Sequence, residues 1–275
     1  KNAIRNLIDM NAIDHDRILT YIGRKMVPFP LSPSLARMIV EASENYPNAV
    51  DEVLIVGAFL SARSPFLFPA GEENEAREAH MQLWDPMGDS VTAVTTYRRY
   101  LKSTHKERFC KKFYLDPHIM GFITKAHQQL SDIARHLGIE VRSGGSNADI
   151  IRSVATGFAR NIMMARGRIF EGPAQMKVAI HPSSACFGDK NRFVVAAEIM
   201  VSHRAYARHV SPLEPDWVAT ISPEAARRFN IRKRNDKRRK FEASEVPQSI
   251  RIGGEDFDIQ IRKGKPTVQI PINTV

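Results

Sequence analysis

The sequence predicts an α+β chain: a helical first part, a small β-barrel, and a short set of terminal hairpins. Three observations carry that expectation. Between Asn48 and Gly138 the apolar residues recur every three or four positions, the period of a helix with one buried stripe. Beyond Gly167 the pattern changes to strand-like runs at Lys177–His181, Arg192–Val201 and Tyr206–Val210, separated by Gly, Asp and Asn. A basic stretch then separates this barrel from a last segment whose turn signals are Gly253-Gly254 and Lys263-Gly264-Lys265.

Taken in order, Ile4, Leu7, Ile8 and Asn11 follow helical spacing from almost the first residue, so the chain reads as cut within or just before a helix. Thr20 can cap a short helix through Met26. Pro28, Pro30 and Pro33 impose an extended segment, and Ser32-Pro33 is a cap with proline at the first helical position of a helix striped by Leu35, Met38, Ile39 and Ala42. Four further stripes follow: Val50 to Ser61, Ala76 to Leu83, Val91 to Leu101 and Ile119 to Ile133. The link Ser64-Pro65-Phe66-Leu67-Phe68-Pro69 is extended because each proline disfavours helix at the residue before it, and its aromatics read as plugs of the core. After the turn Ser143-Gly144-Gly145-Ser146, residues Asp149 to Met164 read as a last helix. Several short strands around one long central one, within about residues 165–220, suit a five-stranded barrel. Ser249–Ile252, Asp256–Arg262 and Pro266–Pro271 form the terminal hairpins.

Composition excludes several classes. With 43% apolar and 25% charged residues over 275 positions, the chain is ordinary globular sequence of two or three domains. No run of about 18 apolar residues offers a membrane span, and no signal pattern opens the chain. Cys110 and Cys186 are too few for a disulfide framework, which points to a reducing compartment, cytoplasmic or nuclear. The charge is uneven. Nine basic residues from Arg227 to Lys240 stand against Asp236 alone, so this stretch carries +8 of the chain's net +10. Polyanion contact is therefore expected there or from a few placed side chains, rather than over a uniformly basic surface.

Catalytic chemistry is sparse. No G-x-x-x-x-G-K-[ST] run is present, so this chain alone is not expected to hydrolyse ATP. His203 and His209 have no Cys or carboxylate at ligand spacing, and no metal is assigned. Cys110 stands among Arg108, Lys111 and Lys112 without a base, and reads as a buried helix residue. The acids Asp51-Glu52 and Glu72-Glu73 lie where helix first turns favour negative charge.

Three runs are more specific. Leu19 to Met38, LTYIGRKMVPFPLSPSLARM, resembles the run that ends the winged-helix domain of DEAH-box RNA helicases. His181-Pro182-Ser183-Ser184, followed by Glu198, Tyr206, Arg208, Pro215 and Trp217, resembles the motif of that family's OB-fold. Val56 to Ser61, Gly88-Asp89, Cys110 and Gln129-Leu130 resemble its helicase-associated ratchet domain. The likeness runs over about residues 3–223, with His118 and His127 where the family has arginine and Phe193 where it has tryptophan; the basic run and final hairpins are unmatched.

The resemblance implies a winged-helix remnant over residues 1–43, a helical ratchet bundle over 44–145 and an OB-fold with its leading helix over 146–223. A basic linker (224–248) and a β-hairpin extension (249–275) follow. It implies an accessory, RNA-binding region of an ATP-dependent helicase, packed on RecA-like motor domains that this chain lacks and helping to form the RNA channel. ATP and magnesium would belong to those domains, with no cofactor in this chain. Expected partners are single-stranded RNA, the motor domains and an activator protein on the winged helix or OB-fold, with no membrane. The alternative is a stand-alone, non-enzymatic RNA- or protein-binding module. Arg204, Tyr206 and Arg208 alternate along one strand and so share a face. With Lys177, Arg192 and His127, and with Arg232, Lys233, Arg234, Arg238, Arg239 and Lys240 of the basic run, they are the candidate nucleic-acid contacts. His181 to Ser184 read as a turn satisfying backbone groups, and Trp217 as core.

Overall fold

The computed structural model describes residues 2–231, 249–252, 255–262 and 265–268. The chain divides into two compact units, Lys1–Arg232 and Lys233–Val275.

The first unit begins with α1 (Asn2–Asp9), a bridge between Ile13 and Leu19, and α2 (Tyr21–Met26). Thr20 caps α2 as its sequence suggests, its side chain accepting from the Gly23 N–H. Then come α3 (Pro33–Asn45), α4 (Val50–Ser61), α5 (Glu73–Met81), α6 (Asp89–Lys102), α7 (Lys106–Lys112), α8 (Pro117–His136) and α9 (Asn147–Gly157). Proline opens α3 at its first turn, but Ser32 makes no side-chain cap bond. Helix α3 runs across residue 43, and its buried Met38, Ile39, Val40 and Ala42 share one core with Val53, Leu54, Met120 and Ile123 of α4 and α8. It therefore packs with the bundle rather than with the first forty residues alone.

Helix α4 is apolar on nearly every face because it lies in the middle of the bundle, with α3, α6, α8 and α9 around it. Its one buried acid, Glu52, accepts hydrogen bonds from Arg98, the Ser143 hydroxyl and the Gly144 N–H. A charge at that depth needs such partners.

The expected helix from Asp149 to Met164 is shorter than the pattern suggests. α9 ends at Gly157, where a Cβ would stand 2.3 Å from the Ser34 carbonyl oxygen, so the close packing of α9 on α3 needs a glycine there. Ile162 to Arg166 then form β1, and Met163 and Met164 pair with Val194 and Phe193 instead of continuing a helical stripe. The barrel thus begins before Gly167, which is a positive-φ residue (71°) in the first hairpin turn.

Strands β1 (Ile162–Arg166), β2 (Ile169–Glu171), β3 (Lys177–Ile180), β4 (Phe193–Val201) and β5 (Ala205–Leu213) close in the order β1-β2-β3-β5-β4. All neighbours are antiparallel except β3 and β5, where Ala179 lies opposite Tyr206. Alternation sorts the side chains. Met163, Phe170, Val178, Val194, Ala196 and Ala207 form one core, while Ile162, Met164, Phe193, Val195 and Leu213 form another with Ile151 and Ala155 of α9. Two short helices, α10 (Pro215–Ile221) and α11 (Pro223–Arg228), complete this second cluster through Val218, Ala225 and Phe229. The packed body therefore continues past residue 223 to include the start of the expected linker. Trp217, on α10, is half-buried with the Arg152 guanidinium 4.6 Å from its ring centre.

In the second unit, β6 (Ser249–Ile252), β7 (Glu255–Arg262) and β8 (Lys265–Val268) form an antiparallel sheet in sequence order. These are the expected terminal hairpins, with the second and third strands starting one residue earlier than their patterns suggest.

Candidate nucleic-acid interface

Bundle and barrel are joined at the start of α6. Gly88 has φ 97°, and a Cβ on it would come within 2.8 Å of the Val210 carbonyl oxygen and 2.9 Å of the Ser211 Cα. This close approach lets Asp89 reach across. Its Oδ1 accepts the Ala185 N–H and its Oδ2 the Val210 N–H, each at 2.7 Å. Next to it, the Ser90 and Ser211 hydroxyls bond at 2.8 Å in buried surroundings. Burial pushes the Asp89 carboxyl above its usual value, against the lowering effect of those two amides and the Ser184 hydroxyl. The Gly-Asp pair is thus a clamp between the two halves.

The loop that Asp89 holds is the His181–Ser184 run. It is the expected turn: the Ser184 N–H bonds the His181 carbonyl, Ser183 pairs with His181 Nδ1, and the Ser184 hydroxyl accepts the Cys186 N–H. His181 meets the Tyr206 ring edge-on at 5.7 Å. Burial pushes up the thiols of both Cys110 and Cys186, so neither is an activated nucleophile. Among the described residues no cluster of three or more His, Cys, Asp or Glu has metal-binding geometry.

The barrel candidates do not all share a face. Tyr206 and Arg208 do, lying opposite Met200 and Glu198 on β4. Arg204 precedes β5 in the exposed turn, where its carbonyl accepts the Ser202 N–H, so strand alternation does not orient it. Arg208 is half-buried, with Nη1 3.6 Å from a Glu198 carboxylate oxygen and 3.6 Å from Met200 Sδ. Lys177 and Arg192 are exposed, and the Arg192 guanidinium lies 5.3 Å from the Phe193 ring centre. His127 belongs to the bundle, where Nε2 donates to Asp51 Oδ1 at 2.9 Å and the ring packs on Tyr97. Arg232, Lys233, Arg234, Arg238, Arg239 and Lys240 lie outside the described residues.

Between α4, the 64–69 link and β5 lies a cleft of about 290 Å³. Phe59, Phe66, Phe68 and Trp84 supply its aromatic wall; His181, Arg208 and His209 line it with polar groups. The reading of the link as a core plug holds only in part, because Leu67 and Phe68 are 40% and 42% exposed. His209 has φ 52° in the middle of β5, a conformation unusual for a non-glycine residue. Burial, with the Arg208 charge beside it, pushes its ring down to about 4, and burial lowers His80 and His181 as well. Periodicity gave no sign of this cleft, since its walls come from segments more than a hundred residues apart. The one signal in the sequence was the aromatic density of the Pro65–Pro69 link.

Comparison with known proteins assigns the two halves. Residues 32–114 match the family described as helicase associated domain (HA2), ratchet-like, and residues 150–225 match an oligonucleotide/oligosaccharide-binding (OB)-fold family. The ATP-dependent RNA helicase HrpA of Borreliella burgdorferi is 30% identical over 279 residues, covering all of this chain and 34% of the relative. The chain is a C-terminal accessory region of the DEAH-box helicase family. Two further relatives are the ATP-dependent RNA helicase DHX33 of Drosophila melanogaster, 25% identical, and the pre-mRNA-splicing factor ATP-dependent RNA helicase prp22 of Schizosaccharomyces pombe, 26% identical. They align over 81% and 80% of this chain and 33% and 19% of their own lengths. The helicase region thus spans about a third or less of each relative. Because the Borreliella alignment takes in the whole chain, the basic run and terminal strands have a counterpart there, although no motif matched them.

Proposed function

We propose that this chain is the RNA-contacting accessory part of an ATP-dependent RNA helicase, resting on RecA-like motor domains outside it and forming one side of the RNA channel. The observation that carries this reading is the Asp89 clamp, which holds a helicase-associated bundle and an OB barrel as one body. A body of that kind presents a fixed surface while separate motor domains move. Tyr206 offers a stacking ring, and Arg208, Arg204, Lys177 and Arg192 offer charge along the barrel. ATP and magnesium would be held by the motor domains. The residues before 32 are the end of a winged helix, which with the barrel could receive an activator protein, and the protein acts in the cytoplasm or nucleus.

The test is binding of single-stranded RNA to the purified chain at several salt concentrations. Arg204→Ala/Arg208→Ala is expected to weaken binding and to lower the slope of log affinity against log salt by about 0.7 for each phosphate no longer neutralised. Unchanged affinity and slope would leave the barrel as a support for the motor, with RNA held elsewhere.

A further inference from the structure

The cleft between bundle and barrel is larger than a packing defect, and of the barrel side chains proposed above to meet RNA, Arg208 alone lines it. A second hollow of about 480 Å³, lined by Arg63 and Glu198 among others, adjoins it, and Leu60, Ser64, Arg208 and His209 line both. Its halves differ in chemistry. One is aromatic carbon held in place by edge-on contacts, with the Phe66 and Phe68 rings 5.0 and 4.9 Å from that of His80. The other is cationic, with Arg63 exposed and Arg208 on the shared wall.

A small anion in the cleft would leave the aromatic wall in water, and a purely apolar group would leave the Arg208 guanidinium with a Glu198 carboxylate oxygen no nearer than 3.6 Å. A planar ring with hydrogen-bonding edges, carried on a phosphate, satisfies both halves. The His209 imidazole suits such an edge because burial keeps it neutral, with one donor and one acceptor, while His181, also kept neutral, has Nδ1 engaged by Ser183 and offers Nε2. The strained backbone at His209 is of the kind found at ligand clamps. From the cleft's shape, aromatic wall and cationic mouth, we infer that it holds one unstacked base of a single-stranded nucleic acid, its phosphate directed toward Arg63. This inference rests on the RNA-binding reading and adds to it a pocket that grips a base rather than the backbone.

The probes are a short oligoadenylate, an abasic ribose-phosphate strand of equal length, and adenosine monophosphate. The chain carries Trp217→Phe, so that Trp84 in the cleft is the remaining tryptophan. Oligoadenylate is expected to quench Trp84 and to bind about 5- to 100-fold more tightly than the abasic strand, the worth of one base stack. Phe68→Ala, at a half-exposed position, should abolish most of that preference and leave the salt slope unchanged. Arg63→Ala should lower the slope by about 0.7 and keep the preference. Quenching by adenosine monophosphate at comparable concentration, with no gain from the strand, would make the ligand a free nucleotide and overturn the strand assignment. Equal binding of oligoadenylate and abasic strand, with Trp84 unquenched, would remove the base pocket and leave RNA binding standing. No binding of either strand would remove both. The strand comparison is made on the parent cleft, so it decides the matter even if Phe68→Ala fails to fold.

Discussion

His209 combines three properties that rarely coincide: a positive φ inside a strand, a place in the cleft wall, and a ring kept neutral by burial and by Arg208. Its folded value of about 4 lies below the ordinary 6.5, so the unfolded chain binds the extra proton. The stability that depends on neutral His209 is therefore complete above pH 6.5 and is lost as pH falls through 4, by about 3 kcal/mol. His80 and His181 act in the same direction, while Asp89, pushed up by burial, opposes them as it takes up a proton. His209→Asn removes the titration and tolerates the positive φ. Thermal unfolding of both proteins at pH 7 and pH 5 isolates the effect, and the parent should lose more stability between the two pH values than the variant.

At the scale of elements, the start of α6 decides how the bundle meets the barrel. An N-terminal helix acid ordinarily serves its own first turn; Asp89 instead satisfies amides of the 181–186 loop and of β5. Gly88→Ala would place a methyl against the Val210–Pro212 backbone at a φ that L residues avoid. It is expected to cost about 3 kcal/mol, read as a shift in the denaturant midpoint. Unchanged stability would mean that the backbone at residues 210–212 yields freely. Helix α9 is bounded in a similar way. Its hydrophobic stripe continues past residue 157, yet it stops there because Ile162 to Met164 are claimed by β4.

For the molecule as a whole, the apolar clusters that hold bundle and barrel together lie, among the described residues, within 7–231. A chain ending at Arg232 is therefore expected to unfold within a few degrees of the parent by calorimetry. It would also lack most of the basic run, so its single-strand RNA affinity should fall less steeply with salt, by about 0.7 for each phosphate that the run neutralises. A collapse in melting temperature would show that the terminal strands support the larger unit. An unchanged slope would make the run a connection rather than an anchor.

The sequence by itself determined the fold class, the capped helix after Thr20, the order of helices before strands, and the family motifs, because each is written in spacing or in neighbouring residues. It also placed Cys110 in a buried helix and His181–Ser184 in a turn. Tertiary structure alone decided where α9 stops, that α3 belongs to the bundle core, and that Arg204 falls outside β5 while His127 is held by Asp51. It alone made Asp89 a clamp and assembled the aromatic cleft. The physical reason is common to all of these. Periodicity records which face of an element avoids water, whereas a strand partner, a carboxylate crossing to another domain's amides, or a cleft walled by distant segments depends on which faces finally meet.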